Sequence, residues 1–260
     1  MTAESFECCG VRIAALTPAG AVSELHALAS AGGGHAVHLC NAYTLSLASK
    51  HSDYRAGFES AALNLADGTP VVWAGKAAGN RSLTQAVRGP TLMLDVMRTG
   101  VSRGAKHYLY GGNAETTGML KTRLQELIPD ICIVGSESPP FRPLSSAEVR
   151  AMTERITRAS PDFLWVGLGT PKQDVFLARH AKELDCVCLG VGAAFDFTAG
   201  TVREAPAWSH STGLEWLFRL SQDPRRLWRR YLFGNAVFVR TALAEATRCR
   251  IARPRPSSTR

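Results

Sequence analysis

From residue 35 to about 192, short apolar runs alternate with amphipathic stretches, and this rhythm constrains the fold more than any other feature. HAVHLC precedes YTLSLASKHSDYRAGFESA, ALNLAD follows, and KHYLYGG leads into ETTGMLKTRLQELI. Such a βαβα order predicts a mostly parallel sheet. ICIVG, FLWVGLG and CVCLGVGAAF add strands that lack apolar–polar alternation, as expected where helices cover both faces. The expected class is therefore α/β, a Rossmann-like sheet with helices on both faces. Between Pro143 and Ser160, Ser145 with Glu148 three residues on reads as a capping box opening an amphipathic helix.

Charge divides the chain. Residues 1–200 carry eighteen basic and eighteen acidic side chains, so the net charge of +8 lies wholly in residues 201–260, with twelve arginines against Glu204, Glu215, Asp223 and Glu245. The same region is rich in Trp, Phe and Leu without strand-like alternation, and predicts two or three helices. Arg225, Arg226, Arg229 and Arg230 share one helical face. Two readings fit: an interfacial amphipathic helix, or a helix pair packed on the core with a solvated arginine face. The expected organisation is an α/β catalytic domain over 1–204, a basic C-terminal helical appendage over 205–248 and a disordered tail over 249–260. The seven cysteines include no C-x-x-C, and Cys40, Cys132, Cys186 and Cys188 lie in apolar runs, which suits a reducing cytoplasm. No window resembles an export signal or a membrane span.

Four segments could carry chemistry. In NLADGTPVVW, Asp67 follows an expected strand over 62–66, and Gly68 permits a sharp turn before Pro70 opens a helix. Asp67 is thus either a general base at the carboxyl edge of the sheet or a helix cap. In FLWVGLGTPKQD, a strand runs into Gly169; Thr170 as N-cap and Pro171 at the first helical position would present free N–H groups to phosphate. Lys172 and Gln173 stand beside them. The plain alternative is a strand-to-helix turn. In YLYGGNAETT, Gly111 and Gly112 offer a second close approach to a nucleotide before Asn113 or Thr116 starts a helix. In VGAAFDFTAGTVREAPAW, Asp196 either emerges at the crevice or is a buried cap. No D-x-D pair and no His/Cys set at zinc spacing occurs, so no metal and no cofactor is expected, and the tail arginines are the candidates for neutralising a diphosphate.

In order and spacing, NLADGTPVVW, YLYGG, SPPFRPL, VGLGTPKQ, GVGAAFDFTAGTVREAPAW and GLEWLFRLSQDPRRLWRRYL resemble the WecG/TagA/CpsF family of glycosyltransferases over about residues 35–235. The resemblance implies transfer of a hexose or N-acetylhexosamine-type sugar, with inversion and without metal, from a UDP-sugar donor to a polyprenyl-diphosphate-linked (undecaprenyl) acceptor in surface-polysaccharide synthesis. It places the catalytic base on Asp67, a sugar-holding asparagine on Asn41 and diphosphate-binding arginines on Arg219, Arg226 and Arg229. It also implies an appendage docked on the inner face of the cytoplasmic membrane. The family's threonine two residues before Asn41 is Leu39 here, which bears on sugar contacts. An arginine-rich nucleic-acid-binding module is the main rival reading, though the bulky apolar residues favour an interface over nucleic acid. An NAD enzyme is disfavoured because the fingerprint glycines do not line up. An exposed apolar face would also permit a homo-oligomer.

Overall fold

A computed structural model describes residues 4–80, 82–206, 209, 213, 215–225, 227–228, 234–242 and 245. Eight strands form one sheet in the order β1-β2-β4-β3-β8-β7-β5-β6. They are β1 (Ser5–Cys8), β2 (Val11–Ala14), β3 (His35–Cys40), β4 (Leu63–Ala66), β5 (Lys106–Gly111), β6 (Cys132–Glu137), β7 (Phe163–Gly167) and β8 (Val187–Gly190). Among the described residues the β1–β2 hairpin is the one antiparallel pair; the other pairs are parallel. The α/β expectation and its mostly parallel sheet therefore hold.

The central strands show why their sequences lack alternation. Phe163 and Trp165 of β7 enter one core with Val37 and Leu39 of β3, while Leu164 and Val166 enter the core on the opposite face. Both faces of these strands are dry, so most positions select an apolar residue. On the first face lie α1 (Pro18–Ala31), α5 (Gly89–Gly100), α6 (Ala114–Leu127) and α9 (Ala194–Ala199), through Leu25, Met93, Val96, Leu120 and Phe195. The second face carries α2 (Ala42–Ala48), α3 (Ser52–Glu59), α4 (Thr69–Ala77), α7 (Ser146–Ala159) and α8 (Lys172–His180), through Leu45, Phe58, Val71, Met152 and Phe176. The expected capping box is present at α7: the Ser145 Oγ accepts from the Glu148 N–H and the Glu148 carboxylate accepts from the Ser145 N–H. Cys132 departs from expectation and is exposed, because β6 is an edge strand and lacks the second cover.

Helices leave neighbouring strands on opposite faces: α8 after β7 on one side, α6 after β5 on the other, and likewise α2 after β3 and α9 after β8. This divergence opens a crevice along the carboxyl edge of the sheet. Beyond residue 205, α10 (Glu215–Gln222) reaches that edge, and residues 234–242 are helical, with Phe238 in the core beside α2 and α4. Glu245 accepts from the N–H groups of Cys9 (2.6 Å) and Gly10 (3.0 Å) at the tip of the β1–β2 hairpin. No described helix is long and apolar enough to cross a membrane. Arg226, Arg229, Arg230 and the tail over 249–260 lie outside the described residues.

Candidate active site

The register of β3 and β4 pairs Cys40 with Ala66, so the next residue of each strand, Asn41 and Asp67, emerges side by side at the carboxyl edge. The Asp67 N–H donates to the Cys40 carbonyl (3.0 Å), which fixes the pair. Asn41 is the N-cap of α2: its Oδ1 accepts from the N–H groups of Tyr43 and Thr44 (both 3.1 Å) and from the Thr44 hydroxyl (3.3 Å). With the oxygen spent on the helix, the amide's Nδ2 is the group left to donate to the Asp67 carboxylate, and it does. Asp67 is not the cap of α4: the N-cap is Gly68, with no side-chain cap bond among the described residues. Of its two readings the capping one is thereby removed.

Among the described residues, Arg88, Glu215 and Arg219 are the charged side chains that act most on Asp67. The Val87 N–H bonds the Ala66 carbonyl (2.8 Å), which lays the start of α5 beside the end of β4 and brings Arg88 to the crevice. Glu215 and Arg219 come from α10. The Arg219 guanidinium also lies 5.0 Å from the centroid of the Phe197 ring on α9, a cation–π contact that holds it over the edge. Asp67 is surrounded closely by protein yet keeps a partial opening to solvent. Its carboxyl is pushed up to about 6, first by desolvation and then by the Glu215 carboxylate, against the downward pull of Arg219, Arg88 and Asn41. A carboxylate in that range is ionised at neutral pH and still basic enough to take a proton.

Farther along the edge stand the glycine turns. Gly111 has φ +137°, and a Cβ there would lie 2.5 Å from the Gly167 carbonyl carbon on β7, so nothing larger fits between β5 and β7. Gly112 follows, its N–H bonded to the Gly167 carbonyl (3.1 Å), and Asn113 caps α6 by accepting from the Thr116 N–H (2.7 Å). Gly169 has φ +74° with open space where a side chain would project. The start of α8 differs from expectation: Pro171, after a cis Thr170–Pro171 bond, occupies the cap position, and the helix begins at Lys172. Thr170 therefore does not cap it. Gln173 is buried; its Oε1 accepts from the Gly169 N–H (3.0 Å) and its amide end packs against Gly190 and Gly192, so it shapes the turn from beneath. Lys172 is exposed at the helix start, and Asp196, in the first turn of α9, is partly buried.

The structure thus brings Asp67, Asn41 and Arg219 together and sets Gly111, Gly112, Gly169 and Lys172 along the same edge. Leu39 points the other way: it is buried in the core, within 3.0 Å of where a Cβ on Gly89 would stand. Among the described residues, the group that could hold a metal ion is Cys8, Cys9 and Glu245, at the opposite, amino edge of the sheet.

The model of the glycosyl transferase WecG/TagA/CpsF family matches residues 6–252. The chain belongs to this family. It is accordingly a glycosyl transferase, and the matched span takes in every residue of the crevice. Two of its members were missed from sequence, Arg88 and Glu215. The signal for Arg88 was a local inconsistency: a cation at a helix N-cap, followed by Gly89 and Pro90, sits where the helix dipole favours an anion. Glu215 had no such flag, since an acidic residue in a first turn is ordinary.

Proposed function

We propose that this transferase moves a hexose or N-acetylhexosamine-type sugar from a UDP-sugar to a polyprenyl-diphosphate-linked acceptor, with inversion, and that Asp67 is the catalytic base. The observation that carries the reading is Asp67 itself, held by Asn41, flanked by Arg88 and Arg219, and raised to about 6. The acceptor hydroxyl attacks the anomeric carbon as its proton passes to the Asp67 carboxylate. The bond from that carbon to the phosphate oxygen breaks, and its electron pair leaves with UDP. Arg219 stands where the new charge on the leaving diphosphate would develop, with Arg226 and Arg229 as further candidates.

The layout supports a donor lying along the edge. From β4 to β7 is three strand spacings, about 14 Å. The nucleotide would lie against Gly111, Gly112, Gly169 and Lys172, with the sugar toward Asn41 and Asp67; Asp196 would contact the substrate from α9. Leu39, being buried, would act on the sugar only by shaping the floor beneath Gly89. For the lipid acceptor, Trp73, Trp216, Leu217 and Trp228 are exposed apolar side chains on α4 and the C-terminal segment. With the arginine excess they suit docking on an anionic membrane face, with the appendage over 205–248 as the docking element.

The test is a panel of UDP-sugars with a short-chain polyprenyl-diphosphate-sugar acceptor in EDTA, measuring UDP release for the wild type and Asp67→Asn. Release with one donor that persists in EDTA and collapses in the variant is expected. Release restored only by Mg²⁺ would overturn the role given to the arginines.

A further inference from the structure

β1 and β2 meet in a two-residue turn, Cys9–Gly10, at the amino edge of the sheet and away from the crevice. Adjacent side chains of an extended strand point to opposite faces, so the thiols of Cys8 and Cys9 would diverge if β1 ran straight on. Instead Cys9 has φ +55° and Gly10 φ +73°, the positive pair that a type I′ hairpin needs, and both cysteines are buried in one core with Phe6, Val11 and Phe238. Asn, Asp or Gly would fill the first position of that turn with less strain. The turn also aims the N–H groups of Cys9 and Gly10 at Glu245, 236 and 235 residues away in the chain, whose carboxylate accepts from both. The Cys8 and Cys9 sulfurs and a Glu245 carboxylate oxygen lie within 4.8 Å of one another. Arg55, whose side chain lies against Gly10, pairs with Glu59 (3.6 Å).

We propose that Cys8, Cys9 and Glu245 form a binding site for a thiophilic divalent cation such as Zn²⁺, separate from the transfer reaction. Each of the three donors is negative once ionised, and such groups gathered in apolar surroundings call for a cation. Without one the thiols keep their protons: Cys8 is pushed far up, first by its hydrogen bond with Cys9, then by burial and by the charges of Cys9, Glu245 and Cys40. Binding exchanges two thiol protons for one ion and leaves two thiolates and a carboxylate around it. Donors on a tetrahedral zinc stand roughly 3.5–3.8 Å apart, so small side-chain rotations bring these three into place. The N–H groups of Cys9 and Gly10 orient the carboxylate, as ligating carboxylates are commonly held, and each of its oxygens keeps a lone pair for the metal. Glu245 is part-exposed, so water can supply the fourth ligand. No local spacing announces the set, because its carboxylate comes from the far end of the chain.

The test uses Co²⁺, a spectroscopic stand-in for Zn²⁺, added to the full chain after reduction and removal of bound metal with EDTA. One equivalent should bring up a thiolate-to-cobalt charge-transfer band together with the intense visible bands of tetrahedral cobalt, and one equivalent of Zn²⁺ should abolish both. Cys8→Ser and Cys9→Ser should lose most of the charge-transfer intensity, and Glu245→Gln should bind Co²⁺ at least roughly tenfold more weakly. Cys132→Ser, which removes the exposed thiol of β6, should match the wild type. Far-ultraviolet circular dichroism checks that each variant is folded; where a serine variant is not, Glu245→Gln decides, because its side chain is only part-buried. A wild type without the charge-transfer band, a band lost in Cys132→Ser, or an unchanged Co²⁺ affinity in Glu245→Gln would overturn the site. Failure of UDP release with every donor would refute the proposed reaction and leave this site standing.

Discussion

Asp67 and Asp174 both act on Cys40, whose buried thiol is pushed far up by desolvation and then by Asp174 and Asp67, yet the two are held in opposite ways. Asp174, in the first turn of α8, is almost fully buried and takes hydrogen bonds from the Tyr54 hydroxyl (2.7 Å) and His38 Nδ1 (3.3 Å). Tyr54 is tied up in turn: desolvation first, then Asp174, pushes its hydroxyl far above the usual range, so it donates and never ionises. His38 is wholly buried under Phe58, with ring centroids 4.4 Å apart, and its Nε2 has no partner. This cluster joins β3, α3 and α8 by two buried donors converging on one acceptor. Among the described residues, Asp67 instead meets the Asn41 amide, the cations Arg88 and Arg219 and the like charge of Glu215, and keeps a residual opening. A carboxylate satisfied by fixed buried donors is a strut; one left high in energy beside an opening is available for chemistry.

The largest effect should separate the two by function. Asp67→Asn is expected to lower kcat roughly 10²–10⁴-fold, the range for losing a general base, with little change in donor affinity measured by calorimetry. In the wild type, kcat/KM should rise with pH to a plateau through a limb near 6, where Asp67 ionises. A limb near 4, or activity retained in Asp67→Asn, would break the contrast at its functional end.

Next comes the strut. Asp174→Ala strands the Tyr54 hydroxyl and His38 Nδ1 in the core and should destabilise by about 3 kcal/mol, read as a lowered urea midpoint. Tyr54→Phe removes one donor and keeps the ring against Phe58 (5.1 Å), so about 1.5 kcal/mol is expected. If either variant instead changes only kcat, the cluster belongs to the site and the comparison fails.

Asn41 came only from the family resemblance, whereas the sheet was legible because its strands announce burial on two faces, and Asp67 because it follows a strand at the edge where ligands bind. The α7 capping box was readable for the same reason: the bonds are local. The α8 start was misread because Gln173, rather than Thr170, satisfies the turn, using an oxygen whose orientation depends on packing against Gly190 and Gly192. The ion pairs of Arg88 with Glu204 and Glu215 were not assembled because the partners stand 116 and 127 residues away in the chain. The His38–Asp174–Tyr54 cluster escaped for that reason too, spanning 136 and 120 residues. Local patterns reveal elements and edges; charge networks between remote elements appear only once the sheet order is known.

The smallest effect sharpens the comparison most, because its sign differs between the aspartates. The Asp67 carboxyl is raised from 3.8 to about 6 in the fold, so the native state holds its proton more tightly than the unfolded chain. Between those values stability falls as pH rises, and at neutral pH the ionised group is a net liability. The full shift would correspond to about 3 kcal/mol, but the opening to solvent screens it, and Asn at 67 also loses the charge on which Asn41 acts. Asp67→Asn should therefore stabilise the protein by about 1 kcal/mol at pH 7.5, seen as a higher urea midpoint, and by only about a third of that at pH 4.5, where the folded protein holds the proton and the unfolded chain has largely lost it. Asp174→Ala must destabilise at both pH values. A destabilised Asp67→Asn at pH 7.5 would mean that Arg88 and Arg219 hold the carboxylate as firmly as Tyr54 and His38 hold theirs, and the two aspartates would then be the same kind of residue.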